Sequence, residues 1–109
     1  MITENQIIKL KNYFSIANKA GYVIWGVDNL KDYTHKLYLI IYRSDFGKTI
    51  LKTLKHFDNK MVKIEIDKKL YDEITSTDKS KILAIKNFGL ANKIIEILRG
   101  EDGESRKDK

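Results

Sequence analysis

The sequence predicts one α/β domain over residues 1–100, a three-layer α/β/α sandwich with a four-stranded, largely parallel (mixed) sheet. Segments with apolar side chains at helical spacing alternate with short strand-like runs along this range. Two of these runs, residues 37–42 and 82–85, are almost wholly apolar, as in strands that are buried on both faces. We therefore expect helices on both faces of the sheet. At 109 residues the chain can bury one core without a metal or a disulfide.

The first predicted helix covers residues 4–20. Thr3 and Gln6 have the spacing of a capping box, and Gly21 can adopt the left-handed conformation that ends a helix. The apolar side chains of this helix are Ile7, Leu10, Phe14 and Ala17, flanked by Tyr13, Ile16 and Ala20. A short extended segment at residues 22–25 follows.

Two further helices are predicted around the apolar run 37–42. Residues 27–34 form a brief helix after Gly26, and residues 37–42 form a buried strand. Ser44 or Asp45 caps the next helix, because serine and aspartate accept hydrogen bonds from the first amides of a helix. The buried side chains of that helix are Phe46, Ile50, Leu54 and Phe57.

The second half of the chain predicts two strands and two helices. Residues 61–66 alternate apolar and charged side chains, which is typical of a half-exposed strand. Asp67 caps a short helix, residues 82–85 form a buried strand, and Asn87 caps a final helix that ends at Gly100. The inward side chains of these two helices are Leu70, Tyr71, Ile74, Ala91, Ile94 and Leu98. Residues 101–109 are expected to be a disordered charged tail.

Positive charge is concentrated in the first half of the chain. The net charge is +6, and residues 5–60 hold ten Lys or Arg but four Asp and no Glu. A basic half attracts polyanions such as RNA by releasing their counterions. A lysine-rich coding bias explains the same charge equally well.

The composition also predicts where the protein works. There is no cysteine, which excludes disulfides and thiolate metal sites and fits a reducing compartment. No apolar stretch approaches the roughly 20 residues that span a bilayer, and the first residues lack the features of a signal peptide. We expect a cytoplasmic protein without a membrane partner.

Residues with catalytic or metal-binding chemistry are sparse. His35 and His56 have no partner at ligand spacing, so we expect structural or solvated histidines. Residues 47–49 read GKT between a strand and a helix, like the end of a phosphate-binding loop. That loop needs a glycine five positions earlier, and Tyr42 stands there. We expect no enzyme, no metal and no cofactor.

Two glycine-bearing turns carry the strongest functional signal. They lie in residues 17–26 (ANKAGYVIWG) and 82–91 (ILAIKNFGLA), and each joins a strand-like run to a helix-like run. In an alternating α/β chain such turns can meet at one end of a sheet. We expect them to lie side by side and to form one cationic surface.

Three motifs resemble those of a known family. Residues 18–26 read NKAGYVIWG, residues 48–52 read KTILK after a strand, and residues 83–91 read LAIKNFGLA. In this order and spacing they resemble the kink-turn-binding ribosomal proteins, the L-seven-Ae family with its short bacterial members. That family has Gln-Arg-Ala-Gly-Lys before Leu-Val-x-Gly, then Asn-Thr-x-x-Lys, then Val-Ala-Ile-x-Asp-x-Gly-Phe-Ala. The likeness covers about residues 7–98.

The resemblance implies a ribonucleoprotein component that binds structured RNA, such as ribosomal RNA, and associates with the ribosome. In that family the RNA lies against the short helix after the glycine matched by Gly26. The loop before the last helix and the strand end near Arg43 complete the surface. The candidate RNA-binding residues are Lys19, Trp25, Gly26, Asp28, Asn29, Lys31, Arg43, Lys48, Asn87 and Phe88. We expect Lys19, Lys31 and Arg43 to share one face with the Gly26 turn.

The short helix departs from the family pattern. Strict kink-turn binders carry Gly-x-Asn-Glu, whereas residues 26–29 read GVDN, with the carboxylate and the amide in reversed order. Asp28 and Asn29 also suit a helix start, and Trp25 suits core packing. The alternative function is therefore a protein–protein interaction module on the same fold that has lost tight kink-turn binding. A phosphate-handling enzyme that uses residues 47–49 is a third class.

Overall fold

Five helices and four strands alternate along the residues that the computed structural model describes, which are 2–45, 47–57, 61–76 and 80–100. They are α1 (Glu4–Lys19), β1 (Val23–Trp25), α2 (Val27–Asp32), β2 (Leu39–Arg43), α3 (Lys48–His56), β3 (Val62–Ile66), α4 (Lys68–Thr75), β4 (Ile82–Ile85) and α5 (Phe88–Leu98). Phe46 and the predicted tail at residues 101–109 lie outside the described residues. Within the described ranges, no helix is both long and apolar enough to cross a membrane.

The four strands form one mixed sheet in the order β1-β4-β2-β3. β2 and β3 pair in parallel, whereas β4 lies between β1 and β2 and is antiparallel to both. Three strands therefore run in one direction and β4 runs against them. This confirms the predicted α/β fold with a mixed four-stranded sheet.

The direction of β4 gives the sheet two distinct ends. At the carboxyl edge, β1, β2 and β3 finish and β4 begins, so Trp25, Arg43, Ile66 and Ile82 are neighbours there. At the amino edge, β1, β2 and β3 begin and β4 finishes. α2, α3 and α4 start near the carboxyl edge, and α5 starts near the amino edge.

Alternate side chains of the strands enter two cores, one on each face of the sheet. Ile41 and Leu83 pack in the core with α1, α4 and α5. Ile40 and Ala84 pack in the core with α2 and α3. This arrangement explains the unbroken apolar sequence of β2 and β4, because each of these inner strands is covered on both faces.

Local capping signals mostly have the predicted outcome. Thr3 and Gln6 form a capping box, and the Asp67 and Asn87 side chains accept hydrogen bonds from Leu70 and Leu90 amides. The predicted cap of α3 by Ser44 or Asp45 is wrong. Its N-cap is Gly47, which has no side chain to accept such a bond.

The predicted interior of α1 needs two corrections. Ile16, which was expected to flank the apolar side chains, is 54% exposed. Gln6, which is polar, is fully buried. Its carboxamide oxygen accepts a hydrogen bond from the Thr3 amide at 2.8 Å, which satisfies this oxygen inside the protein. Leu10, Phe14 and Ala17 are buried as predicted.

Candidate nucleic-acid interface

The strand directions decide which turns are neighbours. At the carboxyl edge the Gly26 amide donates to the Ile82 carbonyl at 3.0 Å, whereas at the amino edge the Lys86 amide donates to the Tyr22 carbonyl at 2.8 Å. Asn87 and Phe88 follow Lys86, so they lie at the amino edge and Gly26 at the carboxyl edge. The two glycine-bearing turns are neighbours at Gly21, because Tyr22 lies beside Lys86 at the amino edge. The expectation that the Gly26 end of the first turn also lies there is wrong. It required β1 and β4 to finish at the same edge, and they are antiparallel.

The turn at Gly26 holds the start of α2 in a fixed geometry. Gly26 has φ 86° and ψ 159°, and its carbonyl accepts a hydrogen bond from the Leu30 amide at 3.1 Å. The Asn29 carboxamide nitrogen donates to the Trp25 carbonyl at 2.8 Å, which ties α2 back to the end of β1. Asp28 and Asn29 are both exposed in this first turn of α2.

The neighbour of the Gly26 turn is the segment that leads into β4. An open cavity of about 260 Å³ at the carboxyl edge is lined by Gly26, Val27, Ile50, Ser80, Lys81 and Ile82. Lys81 is exposed, and sequence reasoning did not select it. Ile50 belongs to the first turn of α3, so the exposed Lys48 at the start of that helix lies near the same cavity.

The exposed side of α3 is basic. Lys48, Lys52 and Lys55 are exposed at a spacing of four and then three residues, which places them on one face of the helix. Opposite them, Ile50 and Leu54 are buried in the core shared with α2. The carboxyl edge therefore combines two exposed side chains with acceptor oxygens, Asp28 and Asn29, with lysines from α3 and from the segment before β4.

Arg43 does not present its charge to solvent. Its side chain is only 5% exposed, and it donates to both carboxylate oxygens of Asp45, through Nε at 2.8 Å and through Nη2. Nη1 lies 3.4 Å from Asp72 of α4, which also pairs with Lys68. Arg43 therefore joins the end of β2 to α4, and the geometry favours a structural role over the predicted RNA contact.

The ion pair of Arg43 with Asp45 predicts a loss of stability in acid. Hydrogen bonds from Arg43 lower the pKa of Asp45 from 3.8 to about 2, so the unfolded chain takes up this proton first. The stabilisation is complete above about pH 4 and is lost as the pH falls towards about 2. We expect the Tm of the natural protein to approach that of Asp45→Asn over this range in thermal denaturation. A Tm difference that stays constant with pH would contradict the prediction.

The remaining predicted site residues are spread over the molecule. Trp25 is half-buried against the α1 core, and its indole N–H donates to Asn18 Oδ1 at 3.1 Å, which favours the packing role. Lys31 is exposed in the last turn of α2. Lys19 is exposed at the end of α1, beside the amino edge. The prediction that Lys19, Lys31 and Arg43 share one face is wrong, because α1 ends at the amino edge and β2 at the carboxyl edge.

Residues 47–49 (GKT), which read like the end of a phosphate-binding loop, lie at the start of α3. Gly47 precedes α3, and Lys48 and Thr49 are exposed in its first turn. Across the described ranges, no group of three or more histidine, aspartate or glutamate side chains could hold a metal ion.

The amino-acid sequence matches no model of a known protein family, and it matches no curated protein.

Proposed function

We propose that this chain is a non-enzymatic RNA-binding protein, similar to ribosomal proteins, which recognises structured RNA of the kink-turn type and associates with the ribosome. The observation that supports it most is the carboxyl edge. There, exposed Asp28 and Asn29 follow the fixed turn at Gly26, and Gly26 lines a cavity together with Lys81 and with Ile50 of the lysine-bearing helix α3. The motif resemblance points to the same short helix.

The chemistry of this edge suits a bent RNA. A kink-turn exposes the edges of sheared guanine–adenine pairs, and guanine edges donate hydrogen bonds that carboxylate and amide oxygens accept. Lysines at the rim contact phosphates and supply affinity that does not depend on sequence. The hydrogen bond from Asn29 to the Trp25 carbonyl holds α2 in place before RNA binds, which reduces the conformational entropy lost on binding.

The decisive test compares two RNAs. One is a duplex with a kink-turn, and the other is the same duplex with its bulged nucleotides base-paired, so that it stays straight. We expect the protein to bind the bent form more tightly in a titration followed by fluorescence anisotropy. Equal binding of the two RNAs, with tight capture of a protein partner, would support the interaction-module alternative instead.

The substitution Asp28→Asn tests whether α2 reads the RNA. We expect it to weaken kink-turn binding about tenfold, because a charged acceptor of a guanine edge is worth roughly 1–3 kcal/mol. Asp32→Asn is the matched control, since it removes the same charge from an exposed position at the other end of α2. Loss of a negative charge alone strengthens binding to RNA. Tighter binding by both variants would therefore reject a direct contact by Asp28.

A further inference from the structure

The amino edge carries a second group of side chains, made of aromatic rings and lysines that are exposed or half-buried. Phe88, in the first turn of α5, is 61% exposed, the most exposed of the large apolar side chains in the described ranges. It stands against Tyr38, which leads into β2. The group, which we call the aromatic–lysine surface, consists of Tyr33, His35, Lys36, Tyr38, Lys86 and Phe88.

The rings of this surface hold one another in place. Tyr38 and Phe88 form an edge-to-face pair with centroids 5.5 Å apart, and Tyr33 forms another with His35 at 5.5 Å. A ring that is already fixed loses little conformational entropy when a planar ligand stacks on it. Phe88 therefore offers a pre-positioned apolar face to solvent.

Lysines are placed directly on these rings. Lys36 Nζ lies 5.4 Å from the centre of the Tyr38 ring, and Lys86 Nζ lies 5.4 Å from the centre of the Tyr33 ring, both within cation–π range. The segments that form the surface, residues 33–38 and 86–89, contain no acidic residue. Tyr22, at the same edge and 36% exposed, and the neighbouring Lys19 extend the same composition.

We propose that the aromatic–lysine surface is a second RNA-binding site, which binds unpaired nucleotides by stacking their bases on Phe88 and Tyr38 while Lys36 and Lys86 contact phosphates. Alternating rings and cations match the alternation of bases and phosphates in a single strand. Stacking tolerates any base, so this site has little sequence preference. It lies at the opposite end of the sheet from the Gly26 turn and does not depend on kink-turn recognition.

The test uses fluorescein-labelled octauridylate, an RNA too short and too uniform to form a kink-turn. We expect Phe88→Ala to raise its Kd about tenfold, in the range that loss of one stacking ring produces. Phe88→Tyr keeps a ring and should stay within about twofold of the natural protein. Leu51→Ala is the matched control, because Leu51 is another exposed large apolar side chain (43%) and belongs to α3. Circular dichroism establishes that each variant is folded.

The outcomes separate this site from the one at the carboxyl edge. Asp28→Asn should not weaken octauridylate binding, whereas Phe88→Ala should. An equal loss in Phe88→Ala and Leu51→Ala would overturn the inference, as would an octaglutamate peptide that binds more tightly than octauridylate. If the protein does not prefer the kink-turn but Phe88→Ala still weakens octauridylate binding, the aromatic–lysine surface is supported without the proposed function. If the protein prefers the kink-turn but Phe88→Ala does not weaken octauridylate binding, only the site at the carboxyl edge is supported.

Discussion

Replacing Gly26 with alanine is expected to lower the free energy of unfolding by about 2–3 kcal/mol. Gly26 has φ 86° and ψ 159°, a region that residues with a Cβ atom rarely adopt. Space is not the obstacle, because a Cβ there would have Ser80 Oγ as its nearest neighbour at 3.9 Å. The cost therefore arises from the backbone. Chemical denaturation followed by circular dichroism measures it.

Gly47→Ala is the control for that substitution. Gly47 also precedes a helix, but its φ is −104° and an added Cβ would meet nothing within 4 Å. We expect Gly47→Ala to change the free energy of unfolding by less than about 1 kcal/mol. An increase is expected rather than a decrease, because alanine makes the unfolded chain less flexible. Equal losses in the two variants would show that the conformation of Gly26 is not what makes glycine necessary.

The second large effect is expected from Arg43→Met. This change keeps much of the buried side-chain volume but removes the guanidinium that joins Asp45 and Asp72. Two carboxylates are then left close together without their shared cation. Breaking a fully buried pair costs about 3–5 kcal/mol. Because Asp45 is 41% exposed and Asp72 26%, water compensates in part. We expect a loss of about 2 kcal/mol in denaturant titrations.

Lys68→Met isolates the contribution of burial. Lys68 pairs with the same Asp72 at 2.8 Å, but its side chain is 57% exposed. Solvent-exposed pairs contribute about 0–1 kcal/mol, so this variant should remain close to the natural protein. A loss in Lys68→Met as large as that in Arg43→Met would mean that the position of Arg43 at the end of β2 is unimportant.

Sequence patterns predicted the parts of the fold that depend on local interactions. The capping box of Thr3 and Gln6 and the caps at Asp67 and Asn87 involve residues three positions apart, so their spacing is visible in the chain. The buried strands were visible as apolar runs. The direction of β4 was not, because an apolar run reads the same for either direction, and this error misplaced Asn87 and Phe88.

The candidate site was predicted less completely, for the same reason. Gly26, Asp28 and Asn29 belong to one continuous motif and were selected from it. Lys81 joins them only through the antiparallel pairing of β1 with β4, which brings together residues far apart in the chain. Lys81 becomes identifiable only once the antiparallel pairing is known, since a residue before a strand shares an edge with the residues that follow its antiparallel neighbour. Arg43 pairs mainly with Asp45, two positions away, but its second partner Asp72 is 29 positions away and no local spacing reveals it.

The position of β4 has a consequence for how the protein is made. β1 pairs only with β4 among the described strands, and the partner of Val23 is Ile85, which lies 62 residues later in the chain. During synthesis the first strand thus emerges long before anything can complete its hydrogen bonds. Closing so large a loop is entropically costly and slow. A nascent chain that stops before residue 82 can form the β2–β3 ladder but neither of the two pairings of β4, so the four-stranded sheet arises only after residue 85 has been synthesised.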